Sequence, residues 1–543
     1  IMARVAAQLT NFTAGELSPR LDGRNDLAKY SAGCSTVENM VIYPHGAAAR
    51  RPGTQYIASV KTAAAKTRLI PFEFSTEQTY ILEFGNQYIR FYRNNGQIES
   101  SGSAYEISTP YLTAELFDIK FAQSADVMYI THPNHQTRKL SRTGHTSWTL
   151  AAVEFTNGPF LDSNITTTTL TPASHGVGTG ITVTASAVTG INSDSGFQTT
   201  DVGRQIRIGV GYGIITARTN TTVVTITITT ALTNSTANAD WSLGSFSTTT
   251  GFPSCVSFFE QRLVFAGTIN NPQTVYFSKS GDYESMDANI GGTIADDDAI
   301  IYTIASNQVN AIRFMTSTRT LIIGTAGGEF TVSGGGDNNA VTPTNILIKK
   351  QSNHGAANVN AVSVGNATLF LQRAKRKIRE LAYNFDVDGY QAPDLTILAE
   401  HITEGGIVEM AYQEEPLAIL WCVRTDGELI ALTYQREQEV VAWHRHILGG
   451  VFGTGNAVVE SVAVIPTDDS EYELYMIVKR TINGATARYV EYLHTFNFDE
   501  TDNTSFNFLD SQLGLSKSQT TLTADINATA TTIPVASVSG LSA

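Results

Sequence analysis

The chain predicts a mainly β protein: antiparallel meander blades forming a β-propeller-like body, with an inserted Thr-rich small β-sandwich or barrel and an extended N-terminal arm. Three observations carry this expectation. Runs of β-branched and aromatic residues recur with a polar turn and a second run after each, at spacings of about 10 to 15 residues, which is the pattern of successive hairpins. Helical periodicity does not persist beyond about three turns in any stretch. One stretch changes composition abruptly, becoming Thr-rich and poor in charge, as an inserted module does.

The elements follow in order. In residues 1–60, Gly15, Ser18-Pro19, Gly23, Pro44, Gly46 and Pro52-Gly53 exclude a long helix and require a series of turns. Between the turns stand Arg20, Arg24, Arg50 and Arg51 with Glu16, Asp22 and Asp26, a pattern that suits a pinned polar arm. The arm is expected to dock on a neighbour and to be separable from the β-domains. Residues 61–160 form a first blade region. Within it TYILEFGNQYIRFYR reads as a hairpin turning at Gly85-Asn86, and FAQSADVMYITHP as another strand pair.

Residues 161–247 are the Thr-rich insert, where β-branching suits the pleat and the hydroxyl tolerates water. Residues 248–505 form the propeller-like body, with CVSFFEQRLVFAGT, AIRFMTSTRTLIIGTAGGEFTVSG and VAVIPTDDSEYELYMIVKR as strand pairs. Leu417 to Tyr434 reads as the inner strands of a blade. No repeat unit is strict enough to count blades. Residues 506–543 echo the start of the insert, TLTAD against TLTPA, and are expected to begin a second Thr-rich module that is too short to close.

Charge and cysteine content narrow the function classes. The 50 acidic residues against 36 basic ones give a net charge of −14, the opposite of a protein that neutralises phosphates. Three well-separated cysteines indicate neither a disulfide framework nor a CxxC metal site. No apolar run of about 18 residues suggests a membrane helix, and no secretory leader is recognisable, so assembly in the cytoplasm is expected.

Motifs for chemistry are sparse. His132 and His135 have metal-like spacing, but no third ligand is identifiable and Pro133-Asn134 reads as a turn, so no metal is assigned. Asp296, Asp297 and Asp298 lack the alternating oxygen ligands of a calcium loop and read as a solvated acidic loop. Glu260, Asp282, Glu329, Glu400 and Asp426 could serve a glycosidase only if two of them met across a cleft, and the sequence pairs none of them. No GxSxG, HExxH or phosphate-binding loop is present. No catalytic residue and no cofactor is assigned. Trp421 and Trp443 sit in apolar runs and read as core. The one dense basic cluster is Lys375, Arg376, Lys377 and Arg379, best matched to an acidic neighbour or a solvated face.

Long ordered strings carry a resemblance. NFTAGELSPRLDGRNDLAKYSAGCSTVENMVIYPHGAAARRPGTQY, LIPFEFSTEQTYILEFGNQYIRFYRNNGQI, FPSCVSFFEQRLVFAGTINNPQTVYFSKSGDYESM, NQVNAIRFMTSTRTLIIGTAGGEFTVSG and LAEHITEGGIVEMAYQEEPLAILWCVRTDGELIALTYQREQEVVAWHRH resemble the tail nozzle family of short-tailed bacteriophages, also called tail tubular protein B or phage stabilisation protein. The resemblance implies a non-enzymatic virion component in the viral tail. It implies a homohexameric ring below the portal adaptor that closes the DNA channel, conducts the genome without sequence-specific binding, and offers surfaces to fibres or spikes. The alternative is a receptor- or glycan-binding tail protein, or a tail-associated glycosidase. The arm residues Arg20, Arg24, Asp26, Arg50 and Arg51 and the basic cluster are the expected assembly contacts.

Overall fold

The computed structural model describes residues 9–290, 292–305, 309–336, 339–467, 471–496, 507–513 and 523. Among these residues the predicted hairpins pair into seven blades, each built on an antiparallel four-stranded meander: blade 1 (68–108, with Gly96–Gln97 as a fifth short strand), blade 2 (120–152), blade 3 (255–303), blade 4 (312–352), blade 5 (362–391), blade 6 (407–446, extended in parallel by the arm strands Gly15–Glu16 and Gly33–Cys34) and blade 7 (458–493). The fourth strand of blade 7 is Thr54–Ser59, supplied from the other end of the chain. The body is a seven-bladed β-propeller.

Why the blades form a ring is written in their side-chain alternation. In a strand, successive side chains point to opposite faces. In Thr79–Gly85 of blade 1, Tyr80, Leu82 and Phe84 pack toward blade 2 with Met128, Leu140 and Trp148, while Ile81 packs toward blade 7 with Tyr475 and Ile477. In blade 7, Leu474, Met476 and Val478 turn instead toward Trp421 and Val423 of blade 6. Blade 6 repeats the rule, sending Leu420 and Cys422 toward Leu369 and Ile378 of blade 5. Every blade is therefore apolar on both faces, and each inter-blade space holds its own core.

The predicted turn at Gly85-Asn86 lies one residue later, at Asn86-Gln87, and Gly85 pairs with Tyr88. A Cβ on Gly85 would sit 2.1 Å from the Tyr88 ring, so glycine is needed there to let that ring lie across the strand. The segment read as inner strands of a blade, Leu417 to Tyr434, supplies the middle two strands of blade 6, Ile419–Arg424 and Leu429–Gln435. The innermost strand is Ile407–Gln413, whose mixed sequence IVEMAYQ concealed it.

The Thr-rich insert leaves the ring between blades 2 and 3. Its six strands form one sheet, and an antiparallel bridge from Leu170 to Asn238 joins the first strand to the segment before the last, bending the sheet into a small barrel. Alternation again decides the faces: in Val223–Thr230, Val224, Ile226 and Ile228 are buried, while Thr225 and Thr227 lie outward and half-buried. The insert's two ends meet at a bridge between Phe160 and Gly244.

The arm is not separable from the ring. Thr54–Ser59 hydrogen-bonds along Ala485–Leu493, so the last residues of 1–60 close the circle and join the stretches 61–160 and 248–505 in one body. The closure is locked by a buried carboxylate. Glu491, fully buried, ion-pairs with Arg480 and accepts the Thr54 hydroxyl at 2.6 Å. The second Thr-rich module, apart from residues 507–513 and 523, falls outside the described residues. Of these, Asp510 forms a buried bidentate pair with Arg51 at 2.7 Å, and Gln512 bridges Gln55. A tight chain of buried polar groups completes blade 6: His446 Nε2 faces His444 Nδ1 at 2.7 Å, His444 Nε2 faces the Thr433 hydroxyl at 3.1 Å, and that hydroxyl donates to the Ile42 carbonyl.

Glu491→Ala leaves Arg480 and the Thr54 hydroxyl buried without their acceptor. A loss of about 3–5 kcal/mol is expected for breaking such a pair. Urea unfolding checks it, with early proteolysis near residues 54–59 as the sign that the ring opens at this seam.

Candidate functional site

Two cavities and one side-chain cluster gather the chemistry-bearing residues. The first cavity, of about 450 Å³, lies where the arm meets the propeller, between Ser18, Pro19 and Arg20 of the arm and Arg376, Lys377, Asp394, Glu400 and His401. It brings together assembly candidates far apart in sequence. Arg20 reaches Glu400 at 2.5 Å, and Lys377 reaches Asp394 at 2.7 Å. Beneath them Glu16, 1% exposed, takes the Val37 N–H at 2.7 Å and lies 2.9 Å from both Arg445 and His401. The Ser18 N–H donates to the Leu398 carbonyl in the connection before blade 6, and Gly15 pairs in parallel with Trp443, so the arm is stitched to blade 6 by backbone as well.

The remaining candidates are dispersed. Arg24 forms an exposed bidentate pair with Asp26, which holds the Asp26 carboxyl down at about 2. Arg50 lies over the Phe508 ring at 5.1 Å, and Arg51 is buried against Asp510. Arg379 is spent inside blade 5 on Gln372 and the Ala392 carbonyl. Lys375 and Arg376 stay exposed, their carbonyls accepting bonds from Ile407 and Thr403.

The second cavity, of about 400 Å³, lies on the propeller axis and is lined by the innermost strands of all seven blades. Arg68 and Glu409 pair across it at 2.9 Å. Glu409 is saturated, its other oxygen taking the Ser461 hydroxyl at 2.6 Å and the Val462 N–H at 3.0 Å. Arg68 also donates to the carbonyls of Leu116 and Ile119. Lys120 stands beside this pair, 4% exposed, with no carboxylate within ion-pair distance among the described residues. Burial pulls its ammonium down to about 8. Nothing in the sequence distinguished this lysine.

The cluster joins Glu115, His132 and His135, whose ligand-type atoms lie within 4.8 Å of one another. The histidines face each other across the Pro133-Asn134 turn, and Glu115 reaches in from the 3₁₀ turn Thr113–Asp118. This is the third side chain that sequence spacing could not supply. Glu115 and His135 are committed to each other and to backbone, whereas His132 bonds backbone only and its Nε2 is buried without a hydrogen-bond partner. Glu115 accepts the Leu112 N–H and lies 2.9 Å from His135 Nε2, and His132 Nδ1 accepts the Asn134 N–H at 3.1 Å. That last bond places the proton of a neutral His132 on Nε2. The His135–Glu115 contact pins the connection from blade 1 onto the hairpin tip of blade 2.

No protein-family model and no curated protein matches the chain. Solved structures resemble it in fold. The Cps50 (Swd1) β-propeller domain of Myceliophteria thermophila is 8% identical and spans 81% of this chain and 100% of its own, at a TM-score of 0.36. The Pan2 WD40 domain of Neurospora crassa is 10% identical, spanning 69% and 88% at 0.30. A luciferin-regenerating enzyme is 12% identical, spanning 43% and 88% at 0.20.

Of the other sequence candidates, Asp282 lies exposed, and the rest have structural employment. Glu400 and Asp426 serve Arg20 and Arg424, Glu329 bonds the Ser352 hydroxyl, and Glu260 takes the Val341 N–H. The acidic loop is not fully solvated: Asp298 is buried, paired with Lys279 at 3.0 Å, and Arg262 holds the carbonyls of Asp296, Asp297 and Asp298. Trp421 and Trp443 are core, their indole N–H groups bonded to Gln413 and the Leu395 carbonyl. Among the described residues no helix is long and apolar enough to cross a membrane.

Glu16→Ala strands Arg445 and the Val37 N–H. It is expected to cost about 1–3 kcal/mol and to expose the arm to trypsin after Arg20 and Arg24, read by limited proteolysis and mass spectrometry. Lys120→Met removes a buried, unpaired ammonium and is expected to stabilise the protein by a few kcal/mol at neutral pH. In the native protein the amine gives up its proton near pH 8, whereas unfolded lysine does so near 10.5. The unfolded state therefore binds more protons in that window, wild-type stability rises with pH, and the variant's advantage shrinks from pH 8 to 10.5. Chemical denaturation across that range checks the sign.

Proposed function

We propose that this chain is a structural subunit of the tail nozzle of a short-tailed bacteriophage, acting in the virion without catalysis. The observation that carries the reading is the length of the resembling strings, which extend from the arm through blades 1, 3, 4 and 6. The architecture is compatible with it in one specific respect. The propeller axis is filled by inner-strand side chains down to a cavity of about 400 Å³. A DNA duplex, whose grooves alone are roughly 6 and 12 Å across, does not fit through it. A conduit must therefore lie between copies, as in a closed ring built from side-to-side contacts.

The acidic surplus supports the same reading, because a lumen of like charge keeps phosphates from sticking. Exposed Phe385 and Val387 beside the outer hairpin of blade 5, and exposed Lys375 and Arg376 near the arm, offer apolar and basic contacts to a neighbouring copy, the portal adaptor or a fibre.

Cryo-electron microscopy of the purified particle tests the proposal. The expected result is a six-fold ring of this chain around the DNA axis, distal to the adaptor. Separate trimers at the tail periphery would overturn it and favour a receptor- or glycan-binding role.

A further inference from the structure

We propose that the axial cavity binds a small monocarboxylate with an apolar body, its carboxylate held by the Lys120 ammonium and its body by the walls beyond. The geometry starts with charge. Arg68, Lys120 and Cys255 each begin the innermost strand of their blade, and all three line the cavity close enough to interact electrostatically. Arg68 and Glu409 cancel, and both oxygens of Glu409 are occupied by Arg68, Ser461 and Val462. Asp118, whose carboxylate accepts the Asn358 amide, acts on Lys120 electrostatically from beyond ion-pair distance, so the Lys120 ammonium is left without a direct partner. The cavity thus carries one directly unpaired ammonium, inside a chain of net charge −14.

A buried cation without a partner is costly, and an anion delivered to it recovers that cost. The walls choose the rest of the ligand. Phe121, Val256, Phe314, Met315 and Met410 give an apolar lining, and the volume lies in the range that holds a small organic molecule. A dianion such as phosphate would leave one charge unmatched among these side chains, so a single carboxylate on an apolar body fits best.

The test uses the full chain at pH 7 with benzoate and hexanoate as probes, and with benzyl alcohol, hexanol and inorganic phosphate as comparisons, followed by isothermal titration calorimetry. The expected result is saturable binding of one carboxylate per chain, with weaker binding of the alcohols and of phosphate. Lys120→Met should weaken it about tenfold or more, the worth of one charged hydrogen bond. Affinity should also fall above pH 8 as the ammonium is lost. An independent readout is the ¹³Cε resonance of Lys120 in lysine-labelled protein, whose titration midpoint should move upward with benzoate. Absence of saturable binding, equal binding by Lys120→Met, or benzoate shifts confined to other lysines would each overturn the site.

Discussion

The structure depends on one seam. A propeller stacks blades face to face, so each blade's stability rests on both neighbours, and the circle is only as sound as the place where its first and last members join. Here the joint is the hydrogen-bonded ladder between Thr54–Ser59 and Ala485–Leu493, bolted by the buried contacts of Glu491 with Arg480 and Thr54. The joint is reinforced outside the blade. Arg51 and Asp510 pair close by, and Glu16 ties the preceding arm to blade 6. The arm is therefore part of the mechanism that keeps the circle closed, and any outward contact it makes must be made from its exposed face.

Much of the blade content was legible in the sequence, for a physical reason. Hairpins announce themselves through alternating runs and turn residues, and both faces of these strands are apolar because each faces another blade. The same two-sidedness hid the blade count, since no single motif marks the inner strand: IVEMAYQ in blade 6 and VSV in blade 5 look like neither a core strand nor each other. The closing strand TQYIAS was illegible for a different reason, because its partner lies more than 400 residues away. Glu115 escaped notice because spacing along the chain says nothing about a 3₁₀ turn folding over a hairpin tip. Lys120 escaped because one lysine at the start of a strand is ordinary until the other six blades surround it.

The distribution of charge separates interior from surface. Arg204, Arg207, Arg262, Arg480 and Arg488 are almost fully buried, each spent on carboxylates or on backbone carbonyls. Glu16, Glu409, Glu460 and Glu491 are buried with them. With Glu83, Asp201, Asp298, Glu329 and Glu380 also buried, interior cations and anions among the described residues offset each other closely, and the acidic surplus of those residues lies nearer the surface. Interactions of this protein with other macromolecules will accordingly weaken or strengthen with ionic strength according to the partner's sign.

The insert offers a different lesson. Its chain departs and returns side by side at Phe160 and Gly244, its core of Val183, Ile206, Ile226 and Leu243 is its own, and the Phe252 N–H returns to the Pro133 carbonyl of blade 2. Such a junction behaves as a socket. A lineage can exchange what is plugged into it, for a longer barrel, another fold or a short loop, without renegotiating any contact within the circle, so variation in this part of the molecule is free to track whatever lies outside it.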